Sequence, residues 1–110
     1  MNNQEVDIEE GTIEFWINKG KVRFGDKKFV PLIQRNPRNG GIYINKNEDD
    51  ELEFTHIYIG RGTTKIVSDV SSLDPDIPHM FAFTWSVENS EIIMYIDGKI
   101  VAKEAINYKH

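Results

Sequence analysis

Asp97-Gly98 lies between two apolar runs, Ile93–Ile96 and Ile100–Ala102. This dipeptide predicts a β-hairpin closed by a two-residue type I′ turn, because both central positions need φ > 0 and Asp and Gly tolerate it. Such a turn sets the register: Ile96 opposes Lys99, Tyr95 opposes Ile100, Met94 opposes Val101, and Ile93 opposes Ala102. Tyr95, Ile93, Ile100 and Ala102 then share one face. Met94, Ile96 and Val101 share the other. Two largely apolar faces place the hairpin within a sandwich rather than at a free edge.

The remaining sequence repeats the period-two signature, and no segment shows an amphipathic helical period. Thr12–Ile17 alternates Ile13, Phe15 and Ile17 with Thr12, Glu14 and Trp16. Lys21–Phe24 and Phe29–Arg35 read as short strands joined at Gly25-Asp26, and Pro31 marks the second as an edge strand or a bulge. Strands follow at Ile42–Asn45, Leu52–Ile59 and Thr64–Val70. The loop Ser71–Pro78 leads into a strand at Met80–Val87. There Phe81, Phe83, Trp85 and Val87 face one way, and Met80, Ala82, Thr84 and Ser86 the other. Many short strands separated by turn residues imply a single all-β, antiparallel sandwich or barrel over residues 1–110.

Composition narrows the function. The 110 residues carry a net charge of −5 with scattered basic side chains, which argues against a nucleic-acid backbone as partner. Cysteine is absent, so disulfides, thiolate chemistry and Cys-type zinc sites are excluded. No apolar run reaches membrane-spanning length, so no membrane insertion is expected. The first residues lack the basic and apolar regions of a signal peptide.

Three segments in order resemble the concanavalin A-like lectin/glucanase superfamily, most closely its laminin-G-like modules. They are Gly11-Thr12-Ile13-Glu14-Phe15-Trp16-Ile17, His79-Met80-Phe81-Ala82-Phe83-Thr84-Trp85-Ser86, and Ile93-Met94-Tyr95-Ile96-Asp97-Gly98-Lys99. The resemblance implies a jelly-roll β-sandwich with one concave sheet, and it suggests an extracellular or cell-surface setting. Family members usually continue well past the hairpin, whereas this sequence stops at His110. That departure predicts an open sheet edge, a template for another strand, and hence a homo-oligomer or pairing with another segment.

Several residues are candidates for chemistry. Glu5-Val6-Asp7-Ile8-Glu9 has the Glu-x-Asp-x-Glu spacing with which glucanases of this superfamily put nucleophile and acid/base on one strand face. In those enzymes the motif lies deep in the chain. Here it precedes the first family-like segment, so the solvated face of an N-terminal strand is the favoured reading and no catalytic residue is assigned. His56, His79 and His110 have no Ser or Asp pattern that suggests a triad. Gly60-Arg61-Gly62-Thr63-Thr64 lacks the ending of a phosphate loop and reads as a turn.

Aromatic rings take the apolar faces of sugars, with polar neighbours for the hydroxyls. Trp16, Tyr43 and Tyr58, with Glu14 and Gln34 as hydrogen-bond partners, are the candidate ligand-binding set if they line the concave sheet. The competing reading makes Trp16 a packing residue. Trp85, in line with Phe81 and Phe83, is assigned to the core. No cofactor is required. Calcium is the candidate cation, with Asp69, Asp74 and Asp76 as tentative ligands and Asn47-Glu48-Asp49-Asp50 as a second acidic loop, on ligand type. The expected function is a non-catalytic module recognising carbohydrate or a protein surface. The alternatives are an assembly module working through an open edge and, behind it, a degenerate glucanase-like hydrolase.

Overall fold

A computed structural model describes residues 7–18, 20, 22–106 and 108. It contains eight strands: β1 (Glu10–Ile17), β2 (Val30–Arg35), β3 (Gly40–Lys46), β4 (Glu51–Tyr58), β5 (Gly62–Asp69), β6 (His79–Ser86), β7 (Glu91–Ile96) and β8 (Lys99–Ala105). They form two four-stranded antiparallel sheets, ordered β1-β6-β7-β8 and β2-β3-β4-β5. The second is a plain meander. In the first, β1 crosses over to pair with β6, and all three family-like segments lie in that one sheet.

Alternation decides which side chains enter the interior. From the first sheet, Ile13 and Phe15 pair with Phe83 and Phe81, and Ile92, Met94 and Ile96 continue the layer on β7. From the second sheet come Ile42 and Ile44 on β3, Leu52 and Phe54 on β4, and Ile66 on β5. Phe54 joins the layers, with ring centroids 5.2 Å from Phe83 and 6.2 Å from Trp85. Each such buried side chain contributes about 1.5–3 kcal/mol. Trp85 is in the core, as expected. Its indole needs Gly11 opposite it: a Cβ there would lie 2.5 Å from the ring.

The hairpin forms with φ of 52° at Asp97 and 84° at Gly98, and its first two rungs are Ile96–Lys99 and Tyr95–Ile100. Beyond them the register shifts. Met94 pairs with Ala102 and Ile93 with Lys103, so the predicted Met94–Val101 and Ile93–Ala102 pairs are corrected. The bulge turns Ala102 toward the core, where it packs against the buried cluster. β2 is an edge strand with a register shift between Pro31 and Ile33, as the proline predicts.

The expected strand at Lys21–Phe24 is absent over the described residues 22–24. Val22 and Phe24 instead reach from a loop into the core, and Phe24 packs on the rings of His79 and Phe81. Asp50 anchors this loop by accepting hydrogen bonds from the backbone N–H groups of Gly25 (3.1 Å) and Lys27 (2.9 Å). Beneath it, the fully buried Lys46 donates to Asp26 (2.9 Å), Asp50 (3.2 Å) and the Lys28 carbonyl. An ammonium in an apolar interior needs such a set of oxygens.

The chain ahead of β1 closes one end of the sandwich. Ile8 is buried. The Trp85 indole N–H donates to the Asp7 carbonyl (2.8 Å), and His56 Nε2 lies 2.8 Å from the Ile8 carbonyl. Tyr58 donates to the Glu9 carboxylate.

Candidate functional site

The five predicted ligand-binding residues do not meet. Trp16 and Glu14 lie on the outer face of the first sheet, in register with Met80 and Ala82. Gln34 and Tyr43 pair with each other on the second sheet, where the Tyr43 hydroxyl donates to Asn36. Tyr58 is 8% exposed. It falls on the buried side of β4 with Leu52, Phe54 and His56, bonded to Glu9 and covered by Tyr108. The bond to Glu9, followed by burial, pushes its phenol above the usual range. A single platform of Trp16, Tyr43 and Tyr58 is therefore ruled out by the two-layer geometry.

The acidic candidates also resolve into local structure. Asp69 accepts from the Ser71 N–H and Asp74 from the Asp76 N–H, each two residues on, which is how Asp builds a turn. Asn47 caps its own turn, accepting from the N–H groups of Asp49 and Glu51. Among the described residues, no three His, Asp or Glu side chains converge as a metal cluster would require. Asp69 and Asp74 form turns through their carboxylates, and Asp76 contributes its backbone N–H to the second. Glu5 lies outside the described residues. Asp7 and Glu9 belong to the segment that closes the sandwich, with Ile8 between them in the core.

The two described histidines are structural. His56 is buried among aromatic rings, and burial lowers its affinity for a proton. Neutral, with its proton on Nε2, it donates to Ile8; the Tyr108 hydroxyl lies 2.9 Å from Nδ1, donates to the His56 carbonyl (3.0 Å) and accepts from Thr64 (3.0 Å). His79 lies with Nδ1 2.8 Å from Asp97 and Nε2 2.8 Å from the Asp74 carbonyl.

The outer face of the first sheet carries a further set of side chains, with Ala82 and Ile93 buried on it. Its registers form four rows across β1, β6 and β7. Glu10, Ser86 and Glu91 make the first row, and Thr12, Thr84 and Ile93 the second. Glu14, Ala82 and Tyr95 make the third, and Trp16 and Met80 the fourth. In the first three rows the β6 residue is small or hydroxylated (Ser86, Thr84, Ala82) and larger side chains flank it on at least one side, so this part of the face is a shallow groove that ends at Met80. A cleft of about 350 Å³ occupies its first rows, lined by Thr12, Thr84, Glu91, Ile93 and Tyr95. Trp16, 62% exposed, stands at the far end.

Glu14 and Tyr95 face each other across Ala82. With β6 between them, their backbones are about 9–10 Å apart. Among the described residues, neither the Glu14 carboxylate nor the Tyr95 hydroxyl has a hydrogen-bonding or ionic partner. Sequence reasoning selected Glu14 and Trp16 but missed Tyr95, which it counted with the apolar residues of the hairpin. The available signal was the small, hydroxylated outward series Ala82, Thr84 and Ser86.

Comparison with known protein families, curated proteins and solved structures finds no match.

Proposed function

We propose that this chain is a non-catalytic carbohydrate-binding module and that the sugar lies along the outer groove of the first sheet. The observation that carries this reading is the Glu14–Ala82–Tyr95 row: an acceptor and an aromatic phenol, both unpartnered, on either side of a small floor residue. A sugar ring offers one apolar C–H face and an equatorial belt of hydroxyls. Tyr95 and, further along, Trp16 suit the face. Glu14, Thr12 and Thr84 suit the belt, and the cleft falls within the size range of small-molecule sites.

The resemblance to laminin-G-like jelly rolls belongs with this reading. It is supported by the crossover of β1 to β6 and by the gathering of the three family-like segments in the sheet that carries the groove.

A glycan array probed in calcium-containing buffer tests the proposal. Binding to one glycan class, reduced at least tenfold in both Trp16→Ala and Tyr95→Ala, is expected. Loss of an aromatic contact of about 1.4 kcal/mol corresponds to that factor. A blank array, or binding indifferent to both substitutions, overturns it.

Assembly by strand addition is the second reading, favoured by one observation. β2 is blunted by Pro31 and a bulge, and β8 by its own bulge. β1 and β5 are edge strands of eight residues each with neither, and such edges are templates for pairing. Light scattering that gives a dimer abolished by Thr12→Pro, with a monomeric fold retained, would favour it. A monomer at high concentration removes it.

A further inference from the structure

We infer that the groove selects cationic amino sugars, with Glu14 as the residue that discriminates. The inference rests on the carbohydrate reading and names the ligand class. Three carboxylates, Glu10, Glu14 and Glu91, flank the floor formed by Ser86, Thr84 and Ala82. Among the described residues one basic side chain, Lys103, stands beside Ile93 on the neighbouring strand. Its ammonium lies 3.5 Å from Glu91, so that pair largely cancels. Glu10 and Glu14 have no cation opposite them among the described residues. The whole chain adds to this field with its charge of −5.

A uronate, sulfated or sialylated sugar would bring its negative charge against Glu14 and Glu10 with no arginine in the groove to receive it. A neutral sugar would use Glu14 only as a hydrogen-bond acceptor. A protonated amine on the ring would turn that bond into a charge-assisted one, which is shorter and about twice as strong. Across the roughly 9–10 Å between the β1 and β7 backbones, a ring stacked on Tyr95 presents its opposite edge to β1. That edge is where the amine would meet Glu14.

The test is calorimetric titration of the full chain with β-linked oligomers of glucosamine, N-acetylglucosamine and galacturonic acid. Mildly acidic pH and low salt keep the amines protonated and the carboxylates ionised. The glucosamine oligomer is expected to bind roughly three- to tenfold more tightly than its N-acetylated counterpart, the effect of one or two screened surface ion pairs. The ratio should shrink as salt is raised. Glu14→Gln keeps the shape and should collapse the ratio toward one, while Lys103→Gln should widen it. Equal affinity for the cationic and neutral oligomers, or a preference for the uronate, overturns this inference while leaving the groove as a sugar site. Failure of all three oligomers to bind also overturns this inference, while the glycan array decides the groove itself.

Discussion

Nδ1 of His79 lies 2.8 Å from Oδ2 of Asp97, joining the first residue of β6 to the turn between β7 and β8. The other ring nitrogen faces the Asp74 carbonyl. Both partners are acceptors, so the ring must carry two protons to satisfy them. Burial opposes that charge, but the Asp97 carboxylate and then the Asp74 carbonyl outweigh it and hold the imidazole above its ordinary range.

The sign of the pH dependence follows. A group whose affinity for protons is higher in the folded than in the unfolded chain stabilises the fold fully below the unfolded pKa. That contribution is lost as pH rises through the folded pKa. Thermal midpoints should therefore fall as pH rises past the ordinary histidine range, and His79→Gln should flatten the dependence. An NMR titration placing His79 below an ordinary histidine would refute the assignment.

Asp97 titrates in the opposite sense. Burial raises it, but the bonds from His79 and from the Met80 N–H dominate and lower it. Its contribution is present above the unfolded carboxylate pKa and disappears as pH falls through the lower folded value. Asp97→Asn should make the acid limb of the stability profile less steep, as read by urea unfolding across that range.

Trp85→Ala should cost about 3–5 kcal/mol, the range for truncating a buried aromatic. Trp85→Phe should lose less, because an aromatic ring still packs against Phe54 while the indole donor to Asp7 and part of the ring volume disappear. Urea unfolding orders the two variants. Equal losses would mean that the bond to Asp7, not packing, dominates.

Gly98 occupies φ 84° with open space where a Cβ would sit. Gly98→Val is thus disfavoured by backbone conformation alone, at least about 1–2 kcal/mol and more for a β-branched residue. A melting point equal to the parent's would overturn the turn assignment.

Lys46→Met should destabilise by about 3–5 kcal/mol, since it leaves the buried Asp50 carboxylate without its closest cation. Adding Asp50→Asn removes the uncompensated charge and should recover part of the loss in a double-mutant cycle. Strictly additive losses would show that the two residues are not coupled.

Much of the fold was legible because period-two patterning reports strand faces directly. Tyr58 shows the limit. Its parity with Leu52, Phe54 and His56 pointed inward, yet an aromatic with a polar tip also suits a ligand site, and parity alone does not say which face is covered. Tyr43 and Trp16 are both outward, but the crossover of β1 to β6 puts them on opposite layers, and no local pattern encodes that crossover. The β8 bulge escaped because a two-residue turn sets only the nearest rungs. Lys46 fell just beyond the expected strand Ile42–Asn45 and gave no sign of burial. Its partner Asp26 is twenty residues away in sequence, and such a pairing exists only once the loop has folded over it.

The short segment before β1 bears on where the cooperative unit begins. A boundary drawn at the first strand would discard Asp7 and Ile8, which belong to no sheet. Two deeply placed donors, the Trp85 indole and the His56 imidazole, would then lose their acceptors from opposite layers at once. In any fusion or excised fragment, those few irregular residues are the stitch between the two halves of the domain.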